Sequence, residues 1–189
     1  MRVLIACEFS GIVRDAFIAR GHDAISCDLL PSEQPGPHII GDARDHLGGG
    51  WDVLIAHPPC RYLARAGARW WAGKEREQSE ALALVAAFLT APVARIAVEN
   101  PIGRVATVFG PPTQRIQPWQ FGHEETKTTC LWLKGLPLLE PTAVMNRRDR
   151  NLTASGQNRL SPGPNRWRDR SRTYAGIAAA MADQWGRLA

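Results

Sequence analysis

Two short stretches set reactive side chains directly behind apolar runs. In "DVLIAHPPCRYLA" the run ends in His57, Pro58, Pro59 and then Cys60; in "ARIAVENP" a second run ends in Glu99, Asn100 and Pro101. A thiolate is a strong nucleophile, and a carboxyl can protonate or hydrogen-bond a ring nitrogen. The rigid Pro-Pro turn fixes where the sulfur stands. Taken alone, such a pair reads as an inert buried thiol beside a structural acid. Its meaning depends on the elements that carry it.

Those elements are legible. "RVLIAC", "DAISCD", "PHIIGD", "WDVLIA" and "ARIAVEN" read as strands. Between them "GIVRDAFIARG" reads as a helix closed by Gly21, and Lys74 to Thr90 as a longer helix stopped before Pro92. Strands alternating with helices predict βαβ units and a parallel sheet. Beyond Pro101, "TQRIQPWQFG" and "TKTTCLWLKG" read as an antiparallel pair at the sheet edge, and "YAGIAAAMADQWGRL" as a final helix. The arginine-rich stretch from Pro137 to Arg172 is long for a structureless loop, so it is functional or mobile. Residues 1–189 read as one domain without internal repeats.

An open parallel sheet binds ligands beyond the carboxyl ends of its strands. Here the predicted ends carry Glu8-Phe9-Ser10-Gly11, Asp28, Gly41-Asp42, His57 to Cys60, and Glu99-Asn100-Pro101. The Gly11 turn lets a ligand approach the backbone, although the fuller G-x-G-x-x-G is missing. Asp28 can accept from ribose hydroxyls, and alone it reads as an ordinary loop acid. Asp42 can accept from an amine or cap a helix. His57 reads as a polar loop residue. Trp70-Trp71 stack a base or fill the core, and core is the preferred reading.

Composition bounds the classes. With 44% hydrophobic and 22% charged residues the chain is globular. No apolar run is long enough for a membrane span, and no signal-peptide h-region is visible. The four cysteines have no C-x-x-C spacing, so no metal site is predicted and a reduced, cytoplasmic compartment is the simplest reading. The net charge of +5 is concentrated in arginines between Arg147 and Arg172, a solvated loop or a phosphate-binding one.

"FSG", "PPC" and "VENP", in that order, resemble motifs I, IV and VI of the cytosine-C5 DNA methyltransferases. "TYAGIAAAMA" resembles the family's last motif. "HPPCRYLA" and "QPWQFGHEETKTTCLWLKGLP" are similar to its small phage and prophage members. The resemblance implies a Rossmann-like α/β methyltransferase fold with a mostly parallel sheet of about seven strands. It implies S-adenosylmethionine as cofactor and methyl transfer to C5 of cytosine in DNA, in the cytoplasm of a host if phage-encoded. Cys60 would add to C6, Glu99 would hold or protonate N3, and Asn100 with Pro101 would shape the turn. Glu8, Phe9, Ser10, Gly11, Asp28, Leu29, Asp42, Ala43 and Pro58 would hold the cofactor. Pro59, Arg61, Arg166, Arg168 and Arg170 would contact the substrate.

The chain also departs from that family. Val13 replaces the second glycine of the first motif, and Arg61 a glutamine. Lys127 in "EETKTTCLW" is the nearest cation to a missing Gln-x-Arg-x-Arg. Only Pro137 to Arg172 occupies the place of a target-recognition domain, although a base inside a duplex must be flipped out before this chemistry. The expected DNA target is therefore single-stranded or read with low sequence specificity, and three other readings stand beside it: methylation of a free deoxycytidine nucleotide such as dCMP, an N4 or N6 amino-methyltransferase sharing "PP", and a non-catalytic relic that binds DNA.

Overall fold

The computed structural model describes residues 1–150 and 163–188. A seven-stranded sheet runs in the order β3-β2-β1-β4-β5-β7-β6. Its strands are β1 (Arg2–Ala6), β2 (Asp23–Asp28), β3 (His38–Ile40), β4 (Val53–Ala56), β5 (Arg95–Pro101), β6 (Gln114–Ile116) and β7 (Thr129–Lys134). The first five are mutually parallel; β7 is antiparallel to both β5 and β6. This is the mostly parallel α/β sheet that the strand and helix pattern predicts, with the antiparallel pair at one edge. The helices are α1 (Ile12–Ile18), α2 (Glu75–Leu89), α3 (Arg104–Phe109), α4 (Arg166–Ser171) and α5 (Ala175–Trp185).

The central strands are continuous apolar runs because both faces of the sheet are covered. Their alternation sorts side chains into two cores. Val3, Ile5, Val53 and Ile55 pack under α1 and α5 with Phe17, Ile177, Met181 and Trp185. Leu4, Ala6, Leu54, Ala56, Ile96 and Val98 pack on the other face with Val85 and Phe88 of α2 and Val105 of α3. All of these side chains are essentially sealed from water. Each contributes roughly 1.5–3 kcal/mol per large apolar group buried.

Two expectations are corrected by the packing. Trp70 is 70% exposed, not core. It ends a short 3-10 helix, Arg65–Trp70, that buries none of its residues. The arginine-rich stretch is not loop throughout: Arg166–Ser171 is helical and docked. Residues 151–162 of that stretch lie outside the described residues. Among the described residues no helix is long and apolar enough to cross a membrane.

Candidate active site

The carboxyl ends of β1 to β5 lie along one edge of the sheet. At the end of β1, Cys7 adopts φ 58°, a left-handed conformation that side chains with a Cβ rarely take. Such strain is stored where surrounding structure enforces it, often beside a functional site. The chain then turns through Phe9, Ser10 and Gly11, all buried. Gly11 has φ 76°, and a Cβ there would lie 2.5 Å from an Arg14 guanidinium nitrogen. That guanidinium is fully buried and donates to Ser32 and to the carbonyls of Gln34 and Pro35, binding the β2–β3 loop to α1.

Glu8, expected at the cofactor, is turned to the protein. Its carboxylate accepts from Val13 N at 2.6 Å, Arg14 N at 3.2 Å and Ser10 Oγ at 3.3 Å. It satisfies the otherwise orphan donors that begin α1. Val13, at the place of the absent glycine, supplies one of them. Burial pushes the Glu8 carboxyl up, against the charge of His57 and these hydrogen bonds.

Asp28 ends β2 and accepts from Leu30 N at 3.0 Å; burial raises its pKa. Asp42 caps the 3-10 turn Ala43–His46 by accepting from Arg44 N, and its carboxylate is also paired with the Arg44 side chain. That hydrogen bonding holds its pKa below the ordinary value. Ala43 beside it is buried. Leu29 and Ile40 are 74% and 64% exposed, although large and apolar. Asp28 and Ile40 are register partners, so the two apolar side chains flank one point of the sheet edge. Exposed apolar groups around a half-buried carboxylate suit a nucleoside, whose ring they can cover and whose hydroxyls the acid can accept. Ile40 carries no sequence signal for this role, since its exposure follows from ending a short edge strand.

Cys60 follows β4, and Glu99 lies near the end of its parallel neighbour β5. Cys60 is exposed while Pro58 before it is buried. Although the residue keeps an exposed surface, the protein around its sulfur desolvates the thiol and, with the charge of Glu99, pushes it up, while Lys127 and Arg170 draw it down. Sulfur, carboxylate and lysine therefore share one neighbourhood. Asn100 is buried and donates from Nδ2 to the Pro58 carbonyl at 3.0 Å. The segment after Cys60 is stitched to the segment after β5: Arg65 N donates to Ile102 O and Arg104 N to Leu63 O. Gly103 permits that approach, since a Cβ would meet Leu63 O at 1.9 Å.

His57 lies in the loop after β4, as its sequence reading has it, and there it partners Glu99. Its Nδ1 stands 3.5 Å from Glu99 Oε2, with the imidazole only 8% exposed. Burial raises the Glu99 pKa, but pairing with His57 and the charge of Lys127 outweigh it, so the carboxyl is held below the ordinary value. Lys127 also donates to the Arg170 carbonyl at 3.1 Å and lies over the Tyr174 ring. His57, Glu99, Lys127, Thr129, Thr173 and Tyr174 line a cavity of about 20 Å³. That is room for about one water molecule, and less than a pyrimidine ring needs.

The segment carrying α4 adds Ser171 and Arg172 to the lining of this cavity. Trp167 packs on Phe9 with ring centroids 6.1 Å apart. Arg168 and Arg172 both pair with Glu33 in the β2–β3 loop, at 3.1 and 2.7 Å. Arg170 reaches the Cys60 neighbourhood, whereas Arg168 is committed to Glu33. Arg166 opens α4 and is half-buried. On the other side of Cys60, Arg61, Arg65, Arg69 and Trp70 are exposed, and residues 61–74 include no acid. Arg61 lies over Tyr62 and Arg69 over Trp70. Pro59 is exposed beside them.

No family model matches the chain, and no curated protein matches it. Among solved structures, one from E. coli, described as a candidate DNA modification methyltransferase encoded within a prophage, is similar at 13% identity and a TM-score of 0.48. The match covers 77% of this chain and 52% of that one, so this chain spans about half the length of its neighbour.

Proposed function

We propose that the protein transfers a methyl group from S-adenosylmethionine to C5 of cytosine in DNA, by way of a covalent bond between Cys60 and C6. One observation carries this reading: Cys60 follows β4 and Glu99 lies near the end of its parallel neighbour β5, and the charges of Glu99 and of Lys127, from the segment before β7, both bear on the Cys60 thiol. Inert thiols and structural acids have no reason to meet a lysine at a sheet's carboxyl edge.

The chemistry needs each of them. Cytosine C5 is a poor nucleophile. As the Cys60 sulfur bonds to C6, its S–H bond is given up and N3 gains a proton. The ring becomes an enamine whose C5 can attack an electrophilic methyl. Glu99, kept ionised, accepts from protonated N3 and so stabilises the adduct. Lys127 favours the thiolate. After methylation a base or water takes the C5 proton, the S–C6 electron pair returns to sulfur, and N3 gives its proton back so that the Cys60 thiol is restored. S-adenosylmethionine, when bound, supplies the electrophilic methyl. Leu29, Ile40, Asp42 and Ala43 would flank its adenine, Asp28 its ribose, and Phe9, Ser10, Gly11 and Pro58 its remaining length. Glu8 supports that loop from the α1 side.

DNA as substrate is supported by the acid-free face after Cys60, where exposed arginines alternate with Tyr62 and Trp70. Cations meet phosphates and aromatic rings stack unpaired bases. A free deoxycytidine nucleotide is the second reading. Arg168 and Arg172 are already paired with Glu33, which takes two cations away from a duplex.

Trapping tests the proposal. DNA containing 5-fluorocytosine is expected to form a cofactor-dependent covalent adduct with the wild-type protein and none with Cys60→Ser. Labelled methyl transfer is then compared between DNA and dCMP. An adduct surviving Cys60→Ser rules out the mechanism. Methylation without any adduct favours the amino-methyltransferase reading, and cofactor binding without turnover the DNA-binding relic.

A further inference from the structure

We infer that His57 is the positioning residue for Glu99: held between the ends of β1 and β5, it fixes the carboxylate and its charge ahead of the base. For its catalytic consequence the inference rests on the cytosine reading; the pairing itself does not.

The geometry is specific. The His57 backbone N donates to Ala6 O at 2.9 Å, which anchors the residue on the end of β1. Its neighbour Pro58 receives the Asn100 amide, and its own Nδ1 stands 3.5 Å from Glu99 Oε2. The ends of β4 and β5 are thus tied twice, through consecutive residues on each strand. The imidazole stands on the Oε2 side of the carboxylate. His57 Nε2 is buried without a hydrogen-bond partner among the described residues. An unsatisfied buried ring nitrogen costs about 1–3 kcal/mol, which a merely structural side chain at this position would avoid.

The charged and titratable groups around the ring come from every element packed on it. Glu8 acts from the end of β1, Glu99 from β5, and Lys127 from the segment before β7. Arg172 and Tyr174 line the same cavity from before α5. Glu8 is engaged with α1, so Glu99 is the carboxylate His57 is free to serve. Its pairing with Glu99 favours the ionised form of that carboxyl.

The test is a titration of the Glu99 side chain by carbon NMR in the free protein. His57→Phe removes ring donor and charge; His57→Asn keeps an N–H donor near Nδ1 and removes the charge. The Glu99 midpoint is expected to rise by about one pH unit or more in His57→Phe, and by less in His57→Asn. The acid limb of the kcat profile should move in the same direction, with kcat lowered about 10²-fold and the KM for S-adenosylmethionine unchanged. A midpoint unmoved in a folded His57→Phe protein overturns the inference. If that variant does not fold, an unmoved midpoint and pH profile in His57→Asn overturn it. Wild-type protein that never traps 5-fluorocytosine defeats the cytosine reading instead, and the titration still judges the pair.

Discussion

Asn100 donates its side-chain amide to the Pro58 carbonyl, 3.0 Å away, joining the end of β5 to the turn that presents Cys60. Both residues are buried. Asn100→Asp replaces the donor by an acceptor against a carbonyl oxygen. It should cost about 1–3 kcal/mol in urea unfolding and slow adduct formation at Cys60. Asn100→Ala should slow the adduct with a smaller stability loss, because only the Pro58 oxygen is orphaned. Wild-type trapping rates in both variants would show that the turn holds its shape without this bond.

Glu99 and Lys127 pull the Cys60 thiol in opposite directions. Glu99→Gln removes the charge that raises the thiol, so the thiol pKa falls. Site-resolved alkylation of Cys60 by iodoacetamide at mildly alkaline pH should then be faster than in the wild type. Lys127→Met should make it slower. Trapping by 5-fluorocytosine should move the other way in Glu99→Gln, dropping about 10²-fold, because protonated N3 loses its partner. Equal alkylation rates in all three proteins would mean that these side chains do not share a cleft.

β1 and β4 were legible because they are sealed on both faces and end in turn residues; "DAISCD" coincides with β2. Their carboxyl ends follow from the topology, so Cys60, Glu99 and Asn100 could be grouped without coordinates. His57 could not be assigned, because its partner lies on another strand and a histidine before two prolines has no intrinsic role. Trp70 was misread because aromatic content suggests core, whereas a short 3-10 segment has no face to bury. The α4 region looked like free cationic loop because its anion, Glu33, is distant in sequence. Only the folded β2–β3 loop brings that carboxylate to Arg168 and Arg172.

The Glu33 link makes access to the site depend on pH. Hydrogen bonding from Arg172, with the charges of Arg172 and Arg168, outweighs the upward effect of burial and lowers the Glu33 pKa. A carboxyl depressed in the folded state stabilises it above the unfolded value, about 4.3, and that contribution fades as pH falls through the depressed value. Docking of α4 should therefore hold at neutral pH and weaken in acid. Glu33→Gln should release α4 at every pH, seen as faster amide exchange over residues 166–172 and altered Trp167 fluorescence. The loss of global stability should be only about 1 kcal/mol. Since Ser171 and Arg172 of this segment line the cavity beside Glu99, trapping should be faster in this variant. Slower trapping would mean that the docked helix helps to hold the base.

The exposed face after Cys60 should carry the electrostatic part of DNA binding. Arg61, Arg65 and Arg69 lie within one acid-free segment, and Trp70 stands 70% exposed at its end. Each phosphate neutralised contributes about −0.9 to the slope of log affinity against log salt for duplex DNA. Changing the three arginines to glutamine should flatten that slope by about 2 to 3, with cofactor binding unchanged because the proposed adenosine side lies beyond β2 and β3. Trp70→Ala should leave the slope alone and weaken single-stranded DNA by about 1–3 kcal/mol, the worth of one stacked base. Cation and ring are thus separable by salt. A slope untouched by the triple change, together with unchanged dCMP turnover, would shift the substrate from DNA to the free nucleotide.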